Sequence, residues 1–127
     1  DGHVRWASEE AHSGRHSICL TVASEGERRE LFPTGAVCNV KPHHRYRLSG
    51  WIKTRAATRF ARLELAAYEY GYSTIIASAS SADVTGTRDW TRVSVELDSG
   101  DEAYLMPRLV LYGPCMAWFD DVALEEV

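Results

Sequence analysis

Apolar and polar residues alternate along this chain in short bursts bounded by turn-forming residues, a period-two pattern that predicts strands. Ser17 to Val22 is the first burst and closes at Ser24-Glu25-Gly26; Arg29 to Phe32 follows and stops at Pro33-Thr34-Gly35. Val37 to Lys41 and Tyr46 to Lys53 are separated by Pro42-His43-His44. Thr74 to Ser78, Trp90 to Leu97, Ala103 to Tyr112 and Met116 to Leu124 complete the clear cases. In Trp90–Leu97, Val93, Val95 and Leu97 share one face while Arg92, Ser94 and Glu96 share the other. The segment from Phe60 to Tyr68 carries strong helix formers, with Phe60, Leu63 and Ala67 at helical spacing. Leu63, Leu65 and Ala67 also alternate with Arg62, Glu64 and Tyr68, and strand-like neighbours on both sides favour a strand. About nine short strands with frequent turns predict an all-β chain, a β-sandwich or jelly roll of two antiparallel sheets.

The 127 residues suffice for one domain, taken as 1–127, and are too few for two independent cores. Hydrophobic residues at 45% and charged residues at 25% are globular proportions. The net charge of −4 conceals an imbalance, 12 Arg and 2 Lys against 7 Asp and 11 Glu. An acidic chain without a Lys/Arg run argues against nucleic-acid binding through phosphates. No apolar stretch approaches the roughly 20 residues of a spanning helix, which argues against a membrane partner. The polar segment Asp1 to Trp6 is no signal peptide, although an excised fragment of a secreted chain would lack one too. Cys19, Cys38 and Cys115 match neither a zinc site nor a disulfide-dense scaffold. One bridge with a free thiol and three reduced core thiols are both open, with buried reduced cysteines favoured.

Three segments carry a resemblance. Ala11-His12-Ser13-Gly14-Arg15-His16-Ser17-Ile18-Cys19-Leu20 is similar to an "A-x-S-G-x-x-S-hydrophobic" entry into an early strand. Tyr46-Arg47-Leu48-Ser49-Gly50-Trp51-Ile52-Lys53 is similar to "Y-x-L-S-x-W-V-K". Ala117-Trp118-Phe119-Asp120-Asp121-Val122-Ala123-Leu124 is similar to "v-x-F-D-D-V-x-L", with Asp89-Trp90 between the second and third pieces. In this order the segments resemble jelly-roll carbohydrate-binding modules of the family 4/9 type, in the galactose-binding-domain-like superfamily. Such modules usually begin with a further strand carrying a "GFE"-like segment, which this sequence lacks. The resemblance implies non-catalytic binding of a polysaccharide or oligosaccharide in a groove on the concave sheet. It also implies a monomeric appendage of a secreted glycoside hydrolase or polysaccharide lyase, expected to be bacterial.

Sugars offer an apolar ring face and a belt of hydroxyls, so a binder needs aromatic platforms beside bidentate polar groups. With Leu48, Gly50 and Ile52 facing the core, Arg47, Ser49, Trp51 and Lys53 face away. The same alternation turns Arg62, Glu64 and Tyr68 outward, and with them Tyr104, Arg108, Val110 and Tyr112. Trp51 and Tyr112, then Tyr68, are the expected stacking residues, with Tyr104 beside them. Glu64, Arg108 and Arg62 are expected to bind hydroxyls or a uronate, and Asn39 sits at the groove edge. A slip of one residue would instead bury Trp51 in the core. Trp90 and Trp118 read as core or edge packing and Trp6 as a packed early segment; Tyr70 and Tyr72 read as loop tips or a ligand rim. Arg47, Arg62, Arg92 and Arg108 all fall on non-core faces, which keeps an acidic glycan in play.

The resemblance further implies a structural Ca²⁺ between the early turn and the last strand. Carbonyls of Ser13-Gly14-Arg15 and the carboxylate of Asp120, or else Asp121, would supply oxygens, with Glu9 or Glu10 in reserve. The plainer expectation has Asp120 and Asp121 capping the sheet edge and pairing with Arg. Enzyme readings fare poorly: nothing in the sequence fixes the separation of carboxylates such as Glu64 and Glu96, and neither His12/His16 nor His43-His44 has a third ligand. Cys115 beside Pro114 has no base, and no GxSxG, P-loop or dinucleotide glycine motif is present. The competing expectations are an accessory sandwich packed on a catalytic domain, without a glycan ligand, and a protein-binding sandwich that uses its loops.

Overall fold

The computed structural model describes residues 4–31, 38–68, 74–101 and 104–127, and at 38 and 39 the backbone only; Tyr70 and Tyr72 lie outside the described residues. Every regular element described is a strand. In chain order they are β1 (Val4–Ala7), β2 (Ser17–Val22), β3 (Arg28–Leu31), β4 (Cys38–Asn39), β5 (Arg45–Tyr68), β6 (Ile75–Ser80), β7 (Val84–Asp98), β8 (Tyr104–Tyr112) and β9 (Cys115–Glu126). The segment with mixed helical and strand character, Phe60 to Tyr68, is strand: it continues from Tyr46–Lys53 as one 24-residue β5.

β5 belongs to two layers. Its first half pairs antiparallel with β9 and with the second half of β7; β2 and β1 extend that layer beyond β9. Its second half pairs with β8 and β6, and β3 and β4 follow one another along the far edge of β8. Between the halves the register with β7 shifts at Ile52/Thr54, Thr54/Ala57 and Ala57/Ala61, and Ala56 has φ 56°. These irregularities bend the strand at a corner. Buried Thr54 ties the corner: its hydroxyl donates to the Gly86 carbonyl (2.9 Å) and accepts from the Arg88 amide (3.2 Å). The result is a curled antiparallel sheet folded into a sandwich, as the alternation predicts.

The main core fills the space between the layers. Leu20, Leu48, Ile52 and Phe119 come from the first layer; Ala61, Leu63, Leu65, Leu105, Leu109 and Leu111 come from the second. Each burial follows period-two alternation, so each of these strands turns its other face away from the core. A small second cluster forms on the outer face of the first layer, where Ala7, Cys19 and Trp118 are buried with Trp90 and Met116 against them. Trp118 and Trp90 therefore pack as expected, but outside the main core. Trp6 departs from expectation: it is 67% exposed and stacks on His16, with centroids 5.3 Å apart, because four-residue β1 is an edge strand with little to cover it. Cys19 and Cys115 are buried free thiols, and burial pushes the Cys115 thiol up to about 11.

Gly113 turns the chain between β8 and β9 at φ 80°, and a Cβ there would lie 2.6 Å from Arg59 Cγ and 2.9 Å from Thr58 Oγ1. Left-handed backbone and overlap act together against any side chain. Gly113→Ala is expected to cost about 1–3 kcal/mol of folding stability, measured by urea denaturation. A change within experimental error would show that the turn relaxes freely.

Candidate functional site

The outward face of the second layer gathers most of the expected site residues. Cross-strand partners share a face in an antiparallel sheet. The pairs Tyr68↔Tyr104, Glu64↔Arg108, Arg62↔Val110 and Phe60↔Tyr112 therefore place Tyr68, Glu64 and Arg62 beside Tyr104, Arg108 and Tyr112. Asn39 pairs with Tyr104 at the β8 edge, which is the edge position expected for it. Eight residues separate the Tyr68 and Phe60 ends of the face, a length of about 26 Å at ~3.3 Å per residue. Aromatic pairs mark both ends. At one end Phe60 and Tyr112 stack with centroids 5.6 Å apart, and the Arg59 guanidinium lies 5.2 Å from the Tyr112 ring.

An ion network fills the middle. Glu64 is 7% exposed and accepts from Arg28 Nη2 (3.1 Å to each oxygen) and from Arg62 Nε (2.9 Å). Arg28 also reaches Glu30 (2.6 Å), and Arg62 reaches Asp83 (3.3 Å). Arg62 further lies 4.2 Å over the Phe60 ring. Burial pushes the Glu64 carboxyl up, but the hydrogen bonds and charges of Arg62 and Arg28 outweigh it and hold the group below the usual carboxylate range. Glu64 is therefore an anion in a positive setting, a hydrogen-bond acceptor and no proton donor near neutral pH.

Phe60, Arg28 and Glu30 are among the members of this face that escaped the sequence expectations. Phe60 continues the Arg62/Glu64/Tyr68 alternation, so its position was visible, but its helical spacing pointed elsewhere. Arg28 and Glu30 come from β3, and nothing local says that this strand lies beside β8.

The structure separates Trp51 from these residues. Trp51 stands on the outer face of the first layer, opposite Arg92 and Asp120, because the halves of β5 enter different layers. Its ring is covered by His12, with centroids 3.9 Å apart and planes within 15°. The expected pairing of Trp51 with Tyr112 in one groove is thus corrected: alternation sets the face of each half-strand, while the corner sets the layer. Glu96 is likewise on the first layer, paired with Arg45 (2.8 Å) and Arg47 (2.8 Å), so Glu64 and Glu96 do not flank one site.

The early turn and the last strand do meet. Asp120 accepts from the amides of His12 (2.9 Å) and Ser13 (3.1 Å); Asp121 accepts from Ser13 Oγ (2.7 Å) and lies 2.7 Å from His12 Nδ1. Adjacent strand residues ordinarily point apart, but Ser49 pairs with Ala123 and Trp51 with Asp120, so Asp121 and Val122 stand against the single Gly50, one extra residue on β9, where Asp121 has φ 53°. That bulge lets both carboxylates reach one turn. The His12 and Ser13 hydrogen bonds hold the Asp121 carboxyl below its ordinary value. Arg15 is exposed in the same turn. Toward Asp120 the turn offers amide N–H groups, whereas Ca²⁺ requires six to eight oxygens. Among the described residues no three His, Cys, Asp or Glu side chains converge on a metal position. These hydrogen bonds tie the early turn to β9.

Two cavities among the described residues lie away from the aromatic face. One of about 290 Å³ opens beside Trp6 and His16, lined by Leu48, Leu109, Phe119 and Val122; another lies beside Pro114 and Cys115. The candidate site lies on a sheet face and not in either of these cavities.

No protein-family model and no curated protein sequence matches the chain. Solved structures do. A family 16 carbohydrate-binding module is 21% identical with TM-score 0.74, over 98% of this chain and 86% of that one. The CBM22-1 xylan-binding domain of Paenibacillus barcinonensis Xyn10C is 16% identical with TM-score 0.67, over 98% and 80%. The CBM22-1–GH10 modules of Clostridium thermocellum Xyn10B, complexed with xylohexaose, are 14% identical with TM-score 0.70, over 97% of this chain and 24% of that one. These modules are of families 16 and 22, so membership of the expected family 4/9 type is not shown. The chain has the jelly-roll β-sandwich fold of carbohydrate-binding modules.

Two outcomes follow from the charges. The lowered Glu64 carboxyl contributes stability that is present above its unfolded value, about 4.3, and is lost as pH falls through the folded one. Glu64→Gln is expected to lower the denaturation midpoint at pH 7, with the gap to wild type closing in acid; a gap independent of pH would contradict the network. For the tie, calcium or a chelator is expected to leave the thermal midpoint unchanged. A rise with calcium would reveal a bound ion.

Proposed function

We propose that this chain is a non-catalytic module that binds a polysaccharide across the outward face of β3, β8 and the second half of β5. The observation that carries the proposal is the placement of Tyr68, Tyr104, Phe60 and Tyr112 on one open face around the Glu64–Arg28–Arg62–Arg108 network. Aromatic rings stack on the apolar faces of sugars, while charged bidentate groups bind adjacent hydroxyls. The rings at the two ends of the face would supply most of the affinity.

The similarity in fold supports this reading, since the matched modules are described as xylan-binding or complexed with xylohexaose. One of those modules is joined to a glycoside hydrolase module. By analogy this chain, a single domain over 1–127, would be a monomeric appendage of a secreted bacterial glycoside hydrolase or polysaccharide lyase, holding the enzyme near its substrate. Glu64 and Glu96 lie on different layers, so these two carboxylates do not form an acid–base pair across one groove.

A second reading has its own observation. Ile75 and Ile76 are 45% and 54% exposed on the edge strand β6, an apolar strip suited to contact with a neighbouring domain of the parent chain. An accessory domain would retain no glycan.

Affinity electrophoresis against a panel of xylans, mannans, β-glucans, galactans and uronic-acid polymers separates the two. Retention by at least one glycan is expected, and Tyr112→Ala should weaken it about tenfold or more. Trp51→Ala, on the other layer, should retain wild-type binding. Failure to bind any glycan, or loss through Trp51 and not Tyr112, would overturn the proposal.

A further inference from the structure

Among the described residues, charge on the candidate face does not balance. Four guanidinium groups, from Arg28, Arg59, Arg62 and Arg108, stand against the carboxylates of Glu30, Glu64 and Asp83. The pairing is also uneven. Arg28 bridges Glu30 and Glu64, and Arg62 bridges Glu64 and Asp83, so these two cations and Glu64 satisfy one another.

Arg108 is treated differently. It is only 9% exposed, yet its ion contact is Glu30 at 3.5 Å, and its buried Nε has no hydrogen-bond partner among the described residues. In the register it sits directly opposite Glu64, but the Glu64 contacts go to Arg28 and Arg62 instead. Arg59, exposed at the Tyr112 end, has no ion pair among the described residues. A buried cation with weak pairing costs free energy until a partner arrives.

Resting on the reading of this face as a glycan site, we infer that its ligand is an acidic polysaccharide whose uronate carboxylate is bound by Arg108, with Arg59 serving a second acidic sugar. A planar carboxylate matches the guanidinium fork with two parallel hydrogen bonds, whereas a hydroxyl leaves the charge uncompensated. The two arginines lie near the register positions of residues 108 and 112, about 13 Å apart at ~3.3 Å per residue, a span that a repeating acidic chain can bridge. The whole protein carries −4, so long-range attraction does not explain such binding. Discrimination has to come from contact within the roughly 8 Å over which charge acts at physiological salt.

Isothermal titration at physiological salt tests this with two matched pairs, glucuronoxylan and polygalacturonate, each against its own carboxyl-reduced form. At least one acidic polymer is expected to bind about tenfold or more tightly than its reduced form. Arg108→Gln should bring that ratio towards one. Arg59→Gln, at an exposed position that does not burden folding, should lower it in the same direction, and Arg108→Lys should recover only part of it. Equal binding of acidic and reduced forms, or binding of other neutral glycans only, would overturn the inference and leave the module reading standing. Equal competition by dextran sulfate would also overturn it, as general polyanion attraction. No binding to any glycan would overturn both.

Discussion

Everything in this sandwich hangs on one strand that is too long for one sheet. β5 runs for 24 residues and hydrogen-bonds to β6, β7, β8 and β9, so its bend decides which strands share a layer. The bend has a chemical cause: Thr54 is buried with its hydroxyl engaged on both sides, and register shifts follow through Ala57. Satisfying that buried hydroxyl removes the penalty a polar group would otherwise carry in the core. On either side of the corner, alternation resumes and fills one core from both layers.

The same corner gives the two outward faces different uses. On the first layer the segment before β2 folds across the sheet. Glu9 accepts from the Trp118 indole, Glu10 meets Lys53, and His12 lies on Trp51. Its end is held by hydrogen bonds to Asp120 and Asp121. That face is covered, and its aromatic rings contribute to packing. On the second layer the polar groups settle their charges among themselves. Glu64 with two arginines is a stable arrangement because each partner removes the desolvation cost of the other. Arg108 is left outside it, which is why the network reads as partly built for an incoming group.

Much of the candidate face was legible in the sequence. Once Leu63, Leu65 and Ala67 are assigned to the core, Arg62, Glu64 and Tyr68 must point away, and the same holds for Tyr104, Arg108 and Tyr112 beside Leu105, Leu109 and Leu111. Strand alternation is a local property of the backbone, so it survives without knowledge of any neighbour. Trp51 shows where this stops. Its outward orientation was correct for its own half-strand, yet the face it joins is chosen by pairing with β9 and β7, residues far away in sequence.

Asp120 and Asp121 make the same point on a smaller scale. Read as neighbours in a regular strand they point apart, and only the bulge against Ser49 and Trp51 turns both toward His12 and Ser13. Arg28 and Glu30 reach the network only because β3 pairs with β8. By itself, then, the amino-acid sequence determined the strands, their inner and outer residues, the all-β class and the chemistry available outside the core. Tertiary structure alone decided which outward faces coincide, where the ladder bulges, and which arginine is left poorly paired. The first set depends on steric and hydrophobic periodicity within a few residues, and the second on hydrogen-bond register between strands brought together from distant parts of the chain.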